Sequence, residues 1–251
     1  MKRILTLIVF SIFLISCKTD AEKFVLVLED NHNKEQFLEK DIVQFNLELE
    51  FGGKVRFDGT ITSSTNSRYC KLEHSDGTVV YYRDDSLFYP PEAENIAKLR
   101  FDSYTWPYFF LFPYKLSDEG TLFSALKNRE LNGLNYESVK LEFENGVGDS
   151  PEDWYIIYED PDSDKIQYAA YIVTASMTVE EAEKDPHAIE YLDYQTIDYV
   201  PIAHEWIFWE WREDEGLTRE LGSAEISGVR FLEGSEILFE APANYQVSTG
   251  K

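Results

Sequence analysis

The chain has 251 residues, 47 acidic and 23 basic, for a formal net charge of −24. This excess of carboxylates argues against nucleic acid and anionic lipid head groups as partners, since both are held by patches of Lys and Arg. Hydrophobic residues make up 43% of the sequence, enough for one sizeable core, and two cysteines are too few for a disulfide framework.

Met1-Lys2-Arg3 opens the chain, and an apolar run from Ile4 to Ile15 follows, interrupted only by Thr6 and Ser11. A charged start before a run too short to cross a bilayer as a helix has the form of a secretory signal. The run ends Leu14-Ile15-Ser16-Cys17, which resembles the lipobox of bacterial lipoproteins. That resemblance implies removal of residues 1–16 and acylation of Cys17, which becomes the first mature residue and the attachment to a membrane. Acyl chains there would contribute ~0.8 kcal/mol per buried methylene. Lys18 follows the cysteine where an inner-membrane retention signal would place Asp, so the resemblance points to the outer membrane of a cell envelope, with the leaflet open. The alternative is an ordinary secretory signal in which Cys17 falls by chance. With Cys17 acylated, Cys70 has no intrachain partner, and its setting, Arg68-Tyr-Cys-Lys-Leu72, reads as a strand with a buried thiol.

Residues 17–30 read as the lipidated cysteine and a tether, ending in Phe24-Val-Leu-Val-Leu28 as an edge strand; residues 31–251 read as one antiparallel-sheet domain. The spacing of Phe37, Leu38 and Ile42 predicts a short helix over 34–44. Phe45, Leu47, Leu49 and Phe51 alternate with polar residues, Gly52-Gly53 turns the chain, and residues 54–61 pair back. A second hairpin spans 69–82 around Ser75-Asp-Gly77, and Ser86-Leu-Phe-Tyr89 follows. Pro90-Pro91 ends the strands and opens a helix over 92–99. Residues 101–114 then crowd in Phe101, Tyr104, Trp106, Tyr108, Phe109, Phe110, Phe112 and Tyr114, more aromatics than a single core face uses.

Strands resume near Leu122 and over 136–144. A hairpin over 154–174 has both faces apolar: Trp154, Ile156 and Tyr158 against Tyr155 and Ile157, then Ile166, Tyr168, Ala170 and Ile172 against Ala169, Tyr171 and Val173. Such a pair is either covered on both sides or lines an apolar cavity with one of them. Thr178 and Glu181 form a capping box that starts a short helix, and strands over 191–200, 204–211 and 224–232 precede a tail with Leu238-Phe239. The fold class is mainly β, with α+β character: one large curved antiparallel sheet, an incomplete barrel, with a few short helices as a lid.

Two segments, Phe109-Phe-Leu-Phe-Pro-Tyr-Lys-Leu-Ser-Asp118-Glu-Gly120 and Phe143-Glu-Asn-Gly-Val-Gly-Asp-Ser-Pro-Glu-Asp153, resemble those of a family catalogued as a domain of unknown function. Its members are lipid-anchored or secreted proteins, mainly of Bacteroidota. Tyr168-Ala-Ala-Tyr-Ile-Val-Thr174, residues 194–201 and Phe239-Glu-Ala-Pro242 match as well, so the resemblance covers most of 30–245. At fold level such proteins are similar to periplasmic lipoprotein carriers, half-barrels whose concave apolar face holds acyl chains under a helical lid. A fold likeness does not establish function.

Catalytic signatures are weak. There is no Gly-x-Ser-x-Gly elbow, and His204-Glu205 opens a zinc motif that Phe208 breaks. Asp160-Pro-Asp-Ser-Asp164 begins like a Ca²⁺ loop, but Lys165 and Tyr171 stand where Gly and Glu belong, so a solvated turn is the simpler reading. No cofactor, metal or catalytic residue is therefore assigned, and an enzyme, for instance a hydrolase, is not expected. The aromatic clusters are the better guide. Trp106, Tyr108, Phe109, Phe110, Phe112, Trp154, Tyr168, Trp206, Trp209 and Trp211 are the candidate residues for binding a hydrophobic molecule such as a lipid or acyl chain. They serve equally as a plain aromatic core, or, if exposed, as the interface of a scaffold or subunit in an outer-membrane complex whose protein partner the sequence does not name.

Overall fold

The computed structural model describes residues 18–124, 126–148, 150–175 and 177–249. Residues 1–17, and with them the signal segment and Cys17, lie outside the described residues, as does Asp149.

Fourteen strands form one antiparallel sheet. They are β1 (Ile42–Phe51), β2 (Lys54–Ser64), β3 (Tyr69–His74), β4 (Val79–Arg83), β5 (Ser86–Tyr89), β6 (Thr121–Phe123), β7 (Lys127–Leu131), β8 (Leu134–Phe143), β9 (Tyr155–Glu159), β10 (Ile166–Tyr171), β11 (His187–Ile197), β12 (Val200–Arg212), β13 (Gly216–Leu232) and β14 (Gln246–Thr249). Their order is β14-β5-β4-β3-β2-β1-β13-β12-β11-β10-β9-β8-β6, and β7 also pairs with β8. The seam is β1 against β13, where Ile42 lies opposite Leu232 and Phe51 opposite Gly222. Helices α1 (Asp20–Asn31), α2 (Lys34–Leu38) and α3 (Ile96–Leu111), with a 3₁₀ turn at Phe112–Tyr114, share a core with one face of the sheet. The short α4 (Val179–Ala182) carries the Thr178/Glu181 capping box expected for it.

Alternation sorts the side chains. In β1, Phe45, Leu47 and Leu49 are buried while Asn46, Glu48 and Glu50 face solvent. Each large apolar side chain removed from water contributes about 1.5–3 kcal/mol. The hairpin β9–β10 is buried on both faces, one of the two arrangements its sequence allows: Tyr155, Ile157, Ala169 and Tyr171 belong to the main core. Ile156, Tyr158, Tyr168 and Ala170 belong to a second cluster with Leu131, Tyr136 and Trp211 on the opposite face. Ile166 departs from the expected alternation. A register irregularity between Ile166 and Tyr168 turns it into the main core.

Three elements differ from the sequence expectation. Phe24–Leu28 is not an edge strand closing a tether but the middle of α1, whose buried residues Ala21, Phe24, Val25, Leu28 and Glu29 recur at helical spacing. Thr19 caps it, its hydroxyl accepting from the Glu22 amide and its own amide donating to the Glu22 carboxylate. The helix expected over 34–44 ends at Leu38, and β1 begins at Ile42. The helix expected over 92–99 starts instead at Ile96, behind an Asn95 cap, and runs through the aromatic segment to Leu111 with Pro107 inside it.

One close approach holds the seam. A Cβ on Gly222 would stand 2.1 Å from the Glu50 carbonyl oxygen, so only glycine fits between β1 and β13 at this point. Gly222→Ala is expected to destabilise the protein by roughly 1–3 kcal/mol. Chemical denaturation would show this as a lower midpoint at constant slope; an unchanged midpoint would contradict the close approach.

Candidate ligand-binding cavity

Helix α3 buries Leu99, Ser103, Trp106 and Phe110 at helical spacing. Asp102, fully buried on the same side, adds a polar tether. The carboxylate accepts from the Trp106 indole Nε1 at 2.9 Å, from Lys98 Nζ at 2.7 Å and from the Arg56 guanidinium of β2 at 2.8 Å. Lys98 and Trp106 stand four residues to either side, the spacing that brings helical side chains onto one face. The guanidinium also lies over the rings of Phe101 and Trp106, at 5.6 and 5.5 Å from their centroids. Farther along, the Tyr191 hydroxyl of β11 donates to the Phe109 carbonyl at 3.0 Å, and the Tyr114 hydroxyl donates to the Pro201 carbonyl at 2.6 Å. The helix is thus tied to the sheet from both ends.

Space is left beside it. One chamber of about 340 Å³ reaches Ser103, Pro107, Tyr108 and Tyr155, and a second of about 650 Å³ reaches Phe51, Trp106 and His187. They share the wall formed by Phe101, Tyr104, Thr105 and Phe109 of α3 with Tyr171 and Val173. Both fall within the ~300–1,000 Å³ typical of small-molecule sites.

The chambers differ in charge. Asp84, Asp85, Asp118, Glu119 and Asp153 line the smaller one with a single cation, Lys115. Arg56, Lys98 and Arg100 line the larger one, where the described residues supply no carboxylate. Desolvation raises the Asp153 carboxyl to about 6, against the opposing pull of the bonds it accepts from the Thr174 amide at 2.8 Å and hydroxyl at 2.7 Å. Desolvation also lowers the pKa of His187. Cys70, on the wall of the smaller chamber, is buried, which pushes its thiol far above the usual range.

The ten residues singled out from the sequence divide three ways. Trp106 lines the larger chamber, Tyr108 the smaller and Phe109 both. Phe110, stacked on Phe45 at 4.0 Å, Phe112, against Tyr155 at 4.8 Å, and Trp206 are buried in the main core and line neither. Trp154, Tyr168, Trp209 and Trp211 are on the opposite face of the sheet, in the second cluster. There Trp154 and Trp211 meet edge to face at 6.2 Å, and Trp209 Nε1 donates to Glu190 at 2.9 Å. The strand period is the reason: in β12, Trp206 and Phe208 join the main core, while Trp209 and Trp211 belong to the far side. Phe101, Tyr104, Tyr155, Tyr171 and Val173 line the cavity but were not singled out. Tyr155 and Tyr171 were legible as the face opposite Trp154 and Tyr168; which face would be concave was not.

Other motifs have local roles. The Asp160 carboxylate accepts from the Asp162 amide at 3.1 Å and the Ser163 hydroxyl at 2.6 Å, which is Asx-turn chemistry. His32 is fully buried and donates Nδ1–H to the Leu28 carbonyl at 2.8 Å, and burial lowers its pKa to about 4.

No protein-family model and no curated protein sequence matches the chain. Solved structures do. A LolA-superfamily protein of Nitrosomonas europaea superposes with a TM-score of 0.56 at 9% identity, over 85% of this chain and 97% of that one. A putative outer membrane lipoprotein-sorting protein domain of Vibrio parahaemolyticus gives 0.51 at 12%, over 86% and 95%. The chain therefore has the curved, open half-barrel fold of these proteins.

Two outcomes follow from this geometry. Asp102→Ala would leave Arg56, Lys98 and the Trp106 indole without their common acceptor, a loss of about 3–5 kcal/mol. Hydrogen exchange should show α3 opening more readily than β1 and β13; equal protection would contradict the tether. The second outcome concerns pH. With the Asp153 pKa at about 6 in the fold against 3.8 as its ordinary value, folding takes up protons between these limits, so this group makes stability fall as pH rises through that window. Asp153→Asn retains an oxygen for Thr174 and should flatten that slope and be more stable than the parent at pH 7. An unchanged pH profile would contradict the assignment.

Proposed function

We propose that this is a lipid-anchored, non-catalytic protein of the cell envelope that takes up a hydrophobic molecule, a lipid or acyl chain, between α3 and the concave face of the sheet. The observation that carries the reading is the cavity itself. An aromatic-walled cleft runs beside a helix that is fastened at both ends. The anchor rests on the Leu14-Ile15-Ser16-Cys17 segment, whose resemblance to a lipobox would place the protein at the outer membrane. The half-barrel neighbours support it in one respect: one is described as a putative outer membrane lipoprotein-sorting protein domain. The scaffold reading needs aromatic side chains on the surface. Among the described residues, the strongly exposed large hydrophobics include one aromatic, Tyr199.

Mechanistically, this is sequestration. Phe101, Tyr104, Phe109, Tyr171 and Val173 form one apolar wall, Phe109 and Tyr171 touching at 5.0 Å between ring centroids, and an acyl chain laid against it leaves water at about 25 cal/mol per Å² of apolar surface. Thr105→Trp, which fills the shared wall, should weaken uptake of a neutral environment-sensitive dye such as N-phenyl-1-naphthylamine by about tenfold, with the melting temperature preserved. Trp154→Ala, on the opposite face, should leave uptake as it is. Parental affinity in the Thr105 variant, or loss of affinity in the Trp154 variant with the fold intact, would overturn the proposal.

A further inference from the structure

We infer that the ligand carries a primary ammonium group, held in the smaller chamber by Asp153 and the hydroxyls of Tyr108, Tyr155 and Tyr171, with its chain laid along the wall that the two chambers share. The inference rests on reading the cavity as an acyl-chain site and adds the head group and its place.

Local structure assembles these four residues. Tyr155 of β9 and Tyr171 of β10 lie opposite each other in the antiparallel register, so their rings share a face of the sheet, 6.0 Å apart between centroids. Tyr108 of α3 meets Tyr155 from the helix side at 5.9 Å. Just beyond the tyrosine pair, Asp153 closes the open end of the hairpin by accepting from the amide and hydroxyl of Thr174. All four line the smaller chamber.

Each of the four has hydrogen-bonding capacity left over. Both Thr174 bonds go to Asp153 Oδ1, at 2.8 and 2.7 Å, while Oδ2 accepts from no described residue and no described cation pairs with this carboxylate. Burial raises its carboxyl to about 6, and a carboxylate so far removed from water normally has a charged partner. Tyr155 and Tyr171 are only 6% and 5% exposed, yet their hydroxyls bond to no described residue and open to the chamber. The Tyr108 hydroxyl is likewise without a described partner. Burial above all, and in each case the Asp153 charge, raises the pKa of these phenols, so they remain neutral hydroxyls with lone pairs to offer. An ammonium group has three N–H donors and no acceptor, the complement of a carboxylate oxygen beside phenol oxygens. A carboxylate or phosphate would meet the Asp153 charge instead.

The other charges on this chamber are engaged or exposed. Asp84 pairs with Arg68 at 2.9 Å, and Asp118 with Lys115 and, at 3.5 Å, with Lys34. The Arg100 guanidinium stands at the Asp85 carbonyl and over the Tyr82 ring, and the Asp85 and Glu119 side chains are in solvent. Selection of the head group therefore falls to Asp153 and the three phenols.

The test is an amphiphile series of one chain length, read by displacement of N-phenyl-1-naphthylamine from the purified protein below the micelle concentrations. Its members are dodecylamine, 1-lauroyl-lysophosphatidylethanolamine, dodecyltrimethylammonium, dodecanol and dodecanoate. An acidic chain attracts every cation from a distance, so the comparison that decides is primary against quaternary ammonium. At least one primary amine should bind about tenfold tighter than dodecyltrimethylammonium and dodecanol, with dodecanoate weakest. Which primary amine binds tighter separates an alkylamine source from a phospholipid one. Asp153→Asn, with its melting temperature recorded alongside, should abolish the preference for primary over quaternary ammonium. Equal affinity for the two kinds of ammonium in the parent, or a preference that survives in a folded Asp153→Asn, would overturn the head-group inference and leave the apolar cavity standing. Failure of the whole series to bind would overturn both.

Discussion

A buried carboxylate governs the concave side of this protein. Taking Asp102 out of water costs several kcal/mol unless its oxygens are satisfied, and the groups that satisfy them come from three places: one turn back on α3, one turn ahead, and strand β2. That requirement acts together with the buried face of α3, Leu99, Ser103, Trp106 and Phe110, in setting the rotation of the helix and its distance from the sheet. Pro107 weakens the helix by removing one backbone donor, and the hydroxyls of Tyr191 and Tyr114 tie its far end down. A helix held this way bridges a space without filling it. The space beside it is a partly open cleft with aromatic walls, the form that small-molecule sites take.

The opposite face shows what the same aromatic chemistry does when no space is left. Tyr136 meets Tyr158 and Tyr168 edge to face at 6.1 and 5.7 Å, and Trp154 carries the Lys140 ammonium 5.3 Å from its ring centroid. The hairpin β7–β8 reaches the β12–β13 turn, where the Asn132 side chain accepts from the Leu217 amide at 3.1 Å. Rings on this side close a small core. The helix-covered face, with its clefts, and the opposite face, with its small core, thus share a single sequence pattern, aromatic residues in strands with a period of two.

Much of the fold was legible for that reason. Alternation in Phe45–Phe51 and on both faces of the 154–174 hairpin specified strands and their coverage, and Thr178 with Glu181 announced a helix start. Thr19 and Glu22 form a second box in the structure, at the start of α1, where the sequence was read as a tether and an edge strand; burial at helical spacing separates the two. The site was legible in part. Trp106, Tyr108 and Phe109 lie on one helix and line the two chambers beside it, whereas the face taken by Trp154, Tyr168, Trp209 and Trp211 depends on which way the sheet curves. Curvature is a property of fourteen strands together, and no local stretch of sequence states it. The pairing of Arg56 with Asp102 joins residues 46 apart and was equally beyond a local reading.

The most direct measurement is isotope-edited NMR of the protein with a ¹³C-labelled acyl chain, observing contacts between chain and ring protons. Contacts to Phe101, Phe109 and Tyr171 are the predicted result. Contacts to Trp154, Trp209 and Trp211 instead, or a chain that contacts no ring at all, would contradict the placement of the ligand under α3.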